Sequence, residues 1–197
     1  MARRVVLAST SRYRRALLER LGVDFEALAP NVDEEVVKAA GVSAETLVTT
    51  LARAKAEAVG SRVSDAVVIG SDQCAEFRGE LLGKPHTRDR AIEQLLSMSG
   101  ATHTLWTGVA VLDTRSGECL LDVDRHDLTM RALTRSQIEH YVDRDQPLDC
   151  AGSYKIEESG IALFESVEGR DFTAIVGLPL TVVARRLAAH GVDVFGT

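Results

Sequence analysis

No hydrophobic stretch in this 197-residue sequence approaches the length of a membrane-spanning helix, which requires about 20 consecutive apolar residues. The basic residues near the start are followed by an apolar stretch, residues 5–8, that is too short for the core of a signal peptide. Both absences argue against membrane insertion and secretion. We therefore expect a cytoplasmic protein that does not interact with a membrane.

Cysteine is also scarce. The three cysteines, Cys74, Cys119 and Cys150, are odd in number and widely spaced, so they provide neither a disulfide framework nor a Cys-x-x-Cys metal site. We expect them to be small buried or half-buried side chains. A catalytic thiol is the alternative, although no neighbouring residue singles out one of the three.

Positive charge is not in excess. The chain has 23 Lys and Arg against 29 Asp and Glu, a formal net charge of −6, which argues against sequence-independent binding to nucleic acid. A small phosphate-bearing ligand in a locally basic cleft is compatible with this balance. Hydrophobic residues make up 45% and charged residues 26%, without a heptad repeat, so the chain is typical of one globular domain spanning residues 1–197.

Apolar periodicity predicts alternating strands and helices with a hairpin in the middle. This pattern is typical of an α/β fold with a mixed, twisted sheet and flanking helices, in which ligands bind at the carboxyl ends of strands. The continuous apolar run 66–70 indicates a central strand covered on both faces. The predicted strands cover residues 4–8, 66–71, 102–112, 119–129 and 160–165, and the predicted helices cover 12–21, 44–59, 88–98, 134–142 and 179–191.

The segment Ser9-Thr10-Ser11-Arg12-Tyr13-Arg14-Arg15 follows the first strand and begins a helix. Free backbone amides, the positive end of the helix dipole and guanidinium groups together favour an anion there. Arginines in a first helical turn oppose the dipole unless an anion compensates them. The alternative is that a serine caps the helix and the arginines face solvent.

Asp72 directly follows the predicted central strand, where an unpaired carboxylate is costly. Such a group usually binds a metal, pairs with a cation or activates water; the alternative is an ordinary turn aspartate. Asp33 and Glu34 lie in a polar loop, and if they close on Asp72 they form an oxygen-lined site for Mg²⁺ or Mn²⁺. Lys55 and Lys84 are candidate cations that, taken singly, are typical of surface lysines. His103 is typical of a packed structural histidine.

Nine segments, in this order, resemble the Maf (septum-formation inhibitor) family of nucleoside triphosphate pyrophosphatases, and they cover nearly the whole chain. They are Leu-Ala-Ser-Thr-Ser at 7–11 with Arg14, Val-Asp-Glu at 32–34, Leu-Ala-Arg-Ala-Lys-Ala at 51–56, Ile-Gly-Ser-Asp-Gln at 69–73, Gly-Lys-Pro at 83–85, Ser-Gly-Ala-Thr-His at 99–103, Thr-Gly at 107–108, Cys-Ala-Gly-Ser-Tyr at 150–154 and Val-Gly-Leu-Pro-Leu at 176–180.

The resemblance implies hydrolysis of a nucleoside triphosphate between the α- and β-phosphates. It also implies an elongated, two-lobed fold similar to that of inosine triphosphate pyrophosphatase, with a central cleft, a divalent metal cofactor (Mg²⁺ or Mn²⁺) and a homodimer. Asp72 matches the family's catalytic acid/base, and Glu34 and Asp72 match its metal site. The residues that match its phosphate-binding positions are Ser9, Arg14, Lys55 and Lys84.

Three positions resemble those that distinguish substrates within this family, and here they are Tyr13, Gln73 and Glu157. Members that act on UTP and dTTP have Arg, Thr and Gln, whereas an aromatic, an amide and a carboxylate resemble the branch acting on 7-methyl-GTP. The methylated base is cationic, so an aromatic face attracts it, and a carboxylate accepts from guanine N1–H and its amine. We therefore expect 7-methyl-GTP as substrate, although Arg12 replaces the usual proline and Tyr13 replaces a tryptophan.

Two other nucleotide-dependent functions stay open, besides a purely structural interaction protein, which would bind neither nucleotide nor metal. The same chemistry on UTP or dTTP is the nearer one, and exchanging Glu157 separates it from 7-methyl-GTP hydrolysis. A non-catalytic, nucleotide-binding regulator of cell division is the second. The pair Asp72 and Glu34 argues against a pure binder, because a carboxylate facing phosphates weakens binding.

Overall fold

The structure is a computed structural model that describes residues 3–196. The strands are β1 (Arg4–Leu7), β2 (Phe25–Ala27), β3 (Ala66–Phe77), β4 (Glu80–Leu82), β5 (Thr102–Asp113), β6 (Cys119–Met130) and β7 (Phe164–Glu168). The helices are α1 (Arg12–Glu19), α2 (Glu34–Ala39), α3 (Ala44–Gly60), α4 (Arg88–Met98), α5 (Arg135–Asp145), α6 (Phe172–Ile175) and α7 (Leu180–Ala189). Short 3₁₀ helices cover Ala151–Ser153 and Ser159–Leu163. None of the helices in this part of the chain combines the length and apolar character that crossing a bilayer requires.

The strands form one seven-stranded mixed sheet in the order β2-β1-β3-β5-β6-β7, with β4 paired to β3. Strand β1 runs parallel to both β2 and β3. The β3–β4 and β6–β7 pairs are antiparallel. The predicted α/β class with a mixed sheet is therefore confirmed.

The chain divides into two compact units. The first comprises the described chain up to Gln73, the segment Thr107–Asp124 and the described chain from Asp171 onward; the second comprises Cys74–Trp106 and Arg125–Arg170. Because β3, β5 and β6 each contribute residues to both units, the division falls within strands rather than at a linker.

The first unit buries both faces of its strands, as the apolar run 66–70 predicts. Side chains alternate between the two faces of the strands: those on one face pack against α1 and α7, and those on the other face pack against α3. The first set includes Val5, Leu7, Val67, Ile69, Val109, Val111, Leu17, Leu18, Val183 and Leu187. The second includes Val6, Ala8, Ala66, Val68, Ala110, Ala52, Ala56 and Val59.

Two glycines let α3 lie directly on the sheet. A Cβ atom on Gly70 would stand 2.2 Å from the carbonyl oxygen of Ala52, and one on Gly108 would stand 2.4 Å from that of Val48. Both distances are far below van der Waals contact, so helix and strands approach here to backbone distance. This close packing fixes the height of α3 above β3.

The second unit contains α4 and α5 and an aromatic cluster of His103, Tyr154 and Phe164. The rings of Tyr154 and Phe164 meet edge to face at 4.9 Å, and His103 Nε2 lies 3.0 Å from the Tyr154 hydroxyl. Burial lowers the pKa of His103 to about 4, so the ring is neutral at pH 7. His103 is thus a packed structural histidine, as expected from the sequence.

The structure corrects three sequence-based assignments. Residues 160–163 belong to a 3₁₀ helix, and the strand predicted over 160–165 begins only at Phe164. Strand β3 continues to Phe77 instead of ending at Ser71, because its second half pairs with β4. Glu34 is the first residue of α2 rather than part of a loop.

Candidate active site

Asp72 lies inside strand β3, between Ser71 and Gln73, and its residue is only 7% exposed. The sequence placed it just beyond a strand end, which is wrong because β3 continues for five further residues. The expectation that its carboxylate needs a partner is right. A buried carboxylate must be paired or protonated, and here a lysine from α3 supplies the pairing.

Lys55 is that partner. Its ammonium nitrogen lies 2.6 Å from Asp72 Oδ1 and 2.6 Å from Glu34 Oε1. The residue is 6% exposed, so it is not the surface lysine that its position in the sequence suggests when considered singly. The close seating of α3 on Gly70 brings the Lys55 side chain to the strand. Three of the residues predicted for the site thus meet in one ion-paired cluster.

Glu34 reaches this cluster from the first turn of α2. Its other oxygen, Oε2, lies 3.4 Å from the ammonium of Lys38. The preceding residue, Asp33, has a different role. Its Oδ1 accepts a hydrogen bond from the Glu35 amide at 3.1 Å, so that Asp33 is the N-cap of α2. The idea that both acids of this segment close on Asp72 therefore holds for Glu34 alone.

The two carboxylates of the cluster have pKa values shifted in opposite directions. Burial raises the pKa of Asp72 above its usual range, against the lowering effects of the Lys55 ammonium and the Arg14 guanidinium. Burial acts in the same sense on Glu34, but the hydrogen bond and charge of Lys55, helped by Lys38, hold its pKa below the usual value. A pair separated in this way suits a proton acceptor beside a permanently charged group.

Arg14 is held against a backbone carbonyl of the segment before α7. Its Nε donates to the Gly177 carbonyl oxygen at 2.9 Å, and the Ser71 hydroxyl lies 2.9 Å from the same oxygen. Gly177 has φ of 115°, and a Cβ there would stand 3.3 Å from Arg14 Nε. The segment Val-Gly-Leu-Pro-Leu at 176–180 therefore acts through its backbone, which orients the guanidinium.

The serines before α1 serve mainly to shape the turn. Ser11 is the N-cap of α1 and accepts from the Arg14 amide at 3.4 Å, and Ser9 Oγ accepts from the Ser11 amide at 3.1 Å. Ser9 is buried. The capping interpretation therefore describes Ser11, while phosphate contact by Ser9 stays a prediction.

The side-chain amide of Gln73 forms hydrogen bonds within the first unit. Nε2 donates to the carbonyl oxygens of Ala174 and Ile175, at 2.8 and 3.0 Å, and lies 3.0 Å from Thr107 Oγ1. Thr107 in turn donates to the Ala174 carbonyl at 2.9 Å. These contacts fix α6 beside β3 and β5. Sequence reasoning missed the anchoring roles of Thr107 and Ser71; their hydroxyls within otherwise apolar strands were the available signal.

The ring of Tyr13 is in contact with the guanidinium of Arg12. The guanidinium carbon of Arg12 lies 4.7 Å from the ring centroid, and Arg12 Nη2 donates to the Tyr13 hydroxyl at 2.6 Å. The two departures from the family pattern therefore contact each other. One face of the ring expected to receive a cationic base is therefore covered by a neighbouring side chain.

Lys84 and Glu157 belong to the second unit. Lys84 is exposed just after β4, and Glu157 is exposed in the turn between the two 3₁₀ helices. Their action together with the cluster of the first unit stays a prediction. In the same unit, burial raises the pKa of the Cys150 thiol to about 12, so Cys150 is not a thiolate nucleophile at pH 7.

The two carboxylates of the cluster are donors of the kind that a hard divalent cation prefers. Within residues 3–196, no group of three or more His, Cys, Asp or Glu side chains is arranged to hold a metal. Glu34 and Asp72 nevertheless direct oxygens at one ammonium, 2.6 Å from each. Mg²⁺ is commonly bound by one or two carboxylates plus substrate phosphates rather than by a complete protein cage.

Comparison with known proteins matches this chain to the family described as Maf-like protein, over residues 4–190. A protein of Bdellovibrio bacteriovorus named 7-methyl-GTP pyrophosphatase is 48% identical over 94% of this chain and 96% of its own length. Proteins with the same name from Pseudomonas aeruginosa and Vibrio vulnificus are 46% and 44% identical, over 96% and 98% of this chain and 98% and 97% of theirs.

A solved structure from Mycobacterium abscessus, titled nucleoside-triphosphatase / dITP/XTP pyrophosphatase, aligns with a TM-score of 0.41 and 15% identity. It covers 66% of this chain and 75% of that one. A similarity at this level supports no conclusion about this chain.

Proposed function

This chain belongs to the Maf family, and we propose that it hydrolyses a nucleoside triphosphate between the α- and β-phosphates, with 7-methyl-GTP as substrate. The products are 7-methyl-GMP and pyrophosphate. The relatives that carry the name 7-methyl-GTP pyrophosphatase match it over nearly the whole length of both chains. The names of these relatives support 7-methyl-GTP as the substrate, and the ion-paired cluster supports hydrolysis as the reaction.

The observation that carries the proposal is the buried ion-paired cluster of Asp72, Lys55 and Glu34. A carboxylate with a raised pKa, held 2.6 Å from an ammonium, is equipped to take a proton from water. Glu34 stays charged beside it. A protein that only binds a triphosphate has no need of a carboxylate with a raised pKa at this point, because without a metal the two carboxylates repel the phosphates.

In the proposed reaction Asp72 removes a proton from water as the water oxygen attacks the α-phosphorus. The bond from the α-phosphorus to the bridging oxygen breaks, and pyrophosphate leaves with that oxygen. Lys55 and Arg14, joined in this proposal by Lys84 and the Ser9 hydroxyl, bind the charge that accumulates on the leaving group. Arg14 is oriented for this by the Gly177 carbonyl.

The family resemblance implies a divalent metal, Mg²⁺ or Mn²⁺, and Glu34 and Asp72 are the residues that would hold it. When bound, such an ion neutralises phosphate charge and lowers the pKa of water. Lys55 now occupies the shared position between these carboxylates.

The base is selected in this proposal by Tyr13, Gln73 and Glu157. The ring of Tyr13 attracts the positive charge of 7-methylguanine. Glu157 accepts hydrogen bonds from N1–H and the exocyclic amine, a pairing that uracil and thymine cannot make. Gln73 contributes by fixing α6 through the carbonyls of Ala174 and Ile175. We also propose that the protein acts as a homodimer, which light scattering on the purified chain tests.

The test is pyrophosphate release from 7-methyl-GTP, GTP, UTP and dTTP with Mg²⁺ or Mn²⁺. We expect 7-methyl-GTP to be turned over fastest, and Asp72→Asn to reduce kcat by about 100- to 10,000-fold, the range of a lost general base. Asp89→Asn, at an exposed aspartate of the second unit, is the matched control and should retain wild-type activity.

A second pair of variants addresses the base. Glu157→Gln should raise KM for 7-methyl-GTP, whereas Glu165→Gln, at an exposed position of β7 in the same unit, should leave it unchanged. Preference for UTP or dTTP in the wild type would keep the reaction and overturn the substrate. No release from any of the four nucleotides, despite nucleotide binding, would favour the non-catalytic regulator.

A further inference from the structure

Glu157 stands in a six-residue turn that is unusually constrained for an exposed segment. This turn, residues 155–160, follows Tyr154 and includes the first two residues of the 3₁₀ helix Ser159–Leu163. Its second residue, Ile156, is 4% exposed, whereas Glu157 and Glu158 are exposed. The turn therefore buries an apolar side chain on the protein side and presents carboxylates to solvent.

The turn closes on the carbonyl oxygen of its first residue. The amides of Glu158 and Gly160 both donate to the Lys155 carbonyl, at 3.2 and 3.0 Å. A Cβ on Gly160 would stand 2.4 Å from that oxygen, so this closure requires glycine for lack of space. The backbone on both sides of Glu157 is thereby fixed relative to Lys155.

Lys155 in turn is fixed to helix α5 at two points. Its amide donates to the Tyr141 hydroxyl at 2.9 Å, and its ammonium donates to the Asp145 carbonyl at 2.7 Å. Tyr141 is buried, and burial raises the pKa of its hydroxyl far above the usual value, so the group stays neutral. The end of the turn is held as well, since the Ser159 hydroxyl donates to the Asp145 carboxylate.

A purely structural explanation exists for one of these contacts. Asp145 is the last residue of α5, and a lysine near a helix C-terminus satisfies a carbonyl that the helix leaves without a partner. That explanation accounts for the ammonium contact but not for the converging bonds that close the turn under Glu157. The experiment must therefore separate loss of helix stability from loss of carboxylate placement.

We propose that Lys155 is a positioning residue for base recognition: by joining α5 to the 155–160 turn, it presents the Glu157 carboxylate in the orientation that pairs with the guanine edge. This inference rests on the proposed function, because it assigns Lys155 an effect only through Glu157. Lys155 would strengthen binding by preorganising the Glu157 carboxylate. A carboxylate held in place before binding loses less conformational entropy when the base arrives.

The test compares Lys155→Met with Lys155→Arg and with Arg88→Met. We expect Lys155→Met to raise KM for 7-methyl-GTP about tenfold, as for a lost charged hydrogen bond, with kcat within about twofold of wild type. Lys155→Arg should restore KM, since it keeps a donor. Arg88→Met removes a different ion pair to α5, with Asp143, and should leave KM unchanged even if it lowers Tm as much.

A double variant shows whether the effect runs through Glu157. In a Glu157→Gln background, Lys155→Met should change KM less than about twofold, because coupled residues give non-additive effects. An unchanged KM in folded Lys155→Met, or an effect that multiplies with that of Glu157→Gln, would overturn the positioning role and leave the pyrophosphatase intact. Absence of 7-methyl-GTP turnover in the wild-type protein would instead overturn the proposed function, and this inference with it.

Discussion

At the scale of single residues, the most informative feature is the shared ammonium of Lys55. It lies 2.6 Å from one oxygen of Asp72 and of Glu34, so it offsets the repulsion of two adjacent carboxylates in the absence of substrate. Removing one partner of such a buried cluster leaves an uncompensated charge. The sequence suggested Asp72 and Glu34 as a pair and Lys55 as a cation, but not that the three meet.

The reason is distance along the chain. Lys55 and Asp72 are 17 residues apart and lie on different elements, and their contact depends on how closely α3 approaches β3. The apolar periodicity of the helix shows that Lys55 lies beside the apolar stripe, but it does not predict whether the lysine is buried. The cap role of Asp33 was equally hidden, because the short helix that it caps was not predicted.

Arg12 provides a prediction at this scale. Its guanidinium covers the Tyr13 ring and competes with a cationic base for it, but competes less with a neutral base. We expect Arg12→Ala to lower KM for 7-methyl-GTP about two- to fivefold, which corresponds to an exposed cation–π contact, and to leave KM for GTP nearly unchanged. Steady-state kinetics with both nucleotides measures this difference.

Arg20→Ala is the matched control, since it removes the same charge from an exposed position at the end of α1. It should leave the ratio of the two KM values as in wild type. A rise in KM for 7-methyl-GTP in Arg12→Ala would show instead that Arg12 assists binding.

At the scale of elements, long periodic segments could be predicted and short ones could not. Helix α4 was predicted over 88–98 and observed as Arg88–Met98, and β5 and β6 each differ from prediction by one residue. Strands β2 and β4, of three residues each, and helices α2 and α6, of six and four, were missed. Segments this short contain too few residues to show a period, and their partners lie far away in the chain.

The late strand failed for a related reason. Residues 160–163 have the apolar character of a strand, but Gly160 is committed to the backbone bond that closes the 155–160 turn, and a 3₁₀ helix follows. Strand β3 was cut short because Ser71, Asp72 and Gln73 look like the end of a strand. Ser71 and Gln73 donate to the carbonyl oxygens of Gly177 and Ala174, on either side of the end of α6. The Asp72 carboxylate is paired with the Lys55 ammonium instead.

The seating of α3 on Gly70 yields a prediction for stability and activity together. Gly70→Ala would place a methyl group 2.2 Å from the Ala52 carbonyl, so α3 must move away from the sheet. We expect the free energy of unfolding to fall by about 2–3 kcal/mol, as for overpacked cores. We also expect kcat to fall at temperatures where the variant is folded, because Lys55 moves with α3.

Urea unfolding and activity at low temperature measure the two effects. Gly83→Ala is the control for stability, since a Cβ there meets nothing within 4 Å. A Gly70→Ala variant with wild-type stability would contradict the close packing, and one with wild-type kcat would contradict the dependence of the site on the position of α3.

At the scale of the whole molecule, the sequence predicted an acidic chain that is compatible with a locally basic site. The chain carries a net charge of −6, yet the site concentrates Lys55, Lys38 and Arg14 around two carboxylates. Several other arginines form ion pairs away from the site, such as Arg4 with Glu26 and Arg88 with Asp143. One such pair, Arg3 with Asp113, joins the start of β1 to the end of β5 within the first unit, at 2.6 Å.

This pair makes the stability of the molecule depend on pH. The hydrogen bond from Arg3 holds the pKa of Asp113 far below its usual value. Because the folded-state pKa is depressed, the stabilisation is present above the unfolded pKa of about 3.9 and is lost as pH falls towards the folded value. We expect Asp113→Asn to lower the free energy of unfolding at pH 7 by about 1 kcal/mol, and by progressively less below pH 4.

Urea unfolding of both proteins at pH 7 and pH 3 measures this change. Asp65→Asn, which disrupts the exposed pair of Asp65 with Arg115, is the control and should have no measurable effect at either pH. A difference for Asp113→Asn that persists unchanged at pH 3 would show that the contribution is packing rather than charge.

The central claim is that Asp72 activates water for attack on the α-phosphorus of 7-methyl-GTP. Turnover in ¹⁸O-labelled water, followed by mass spectrometry of both products, tests it most directly. We predict that the label enters 7-methyl-GMP and not pyrophosphate, and that Asp72→Asn forms neither product at a comparable rate. Label in pyrophosphate, release of inorganic phosphate as the first product, or undiminished turnover by Asp72→Asn would contradict the claim.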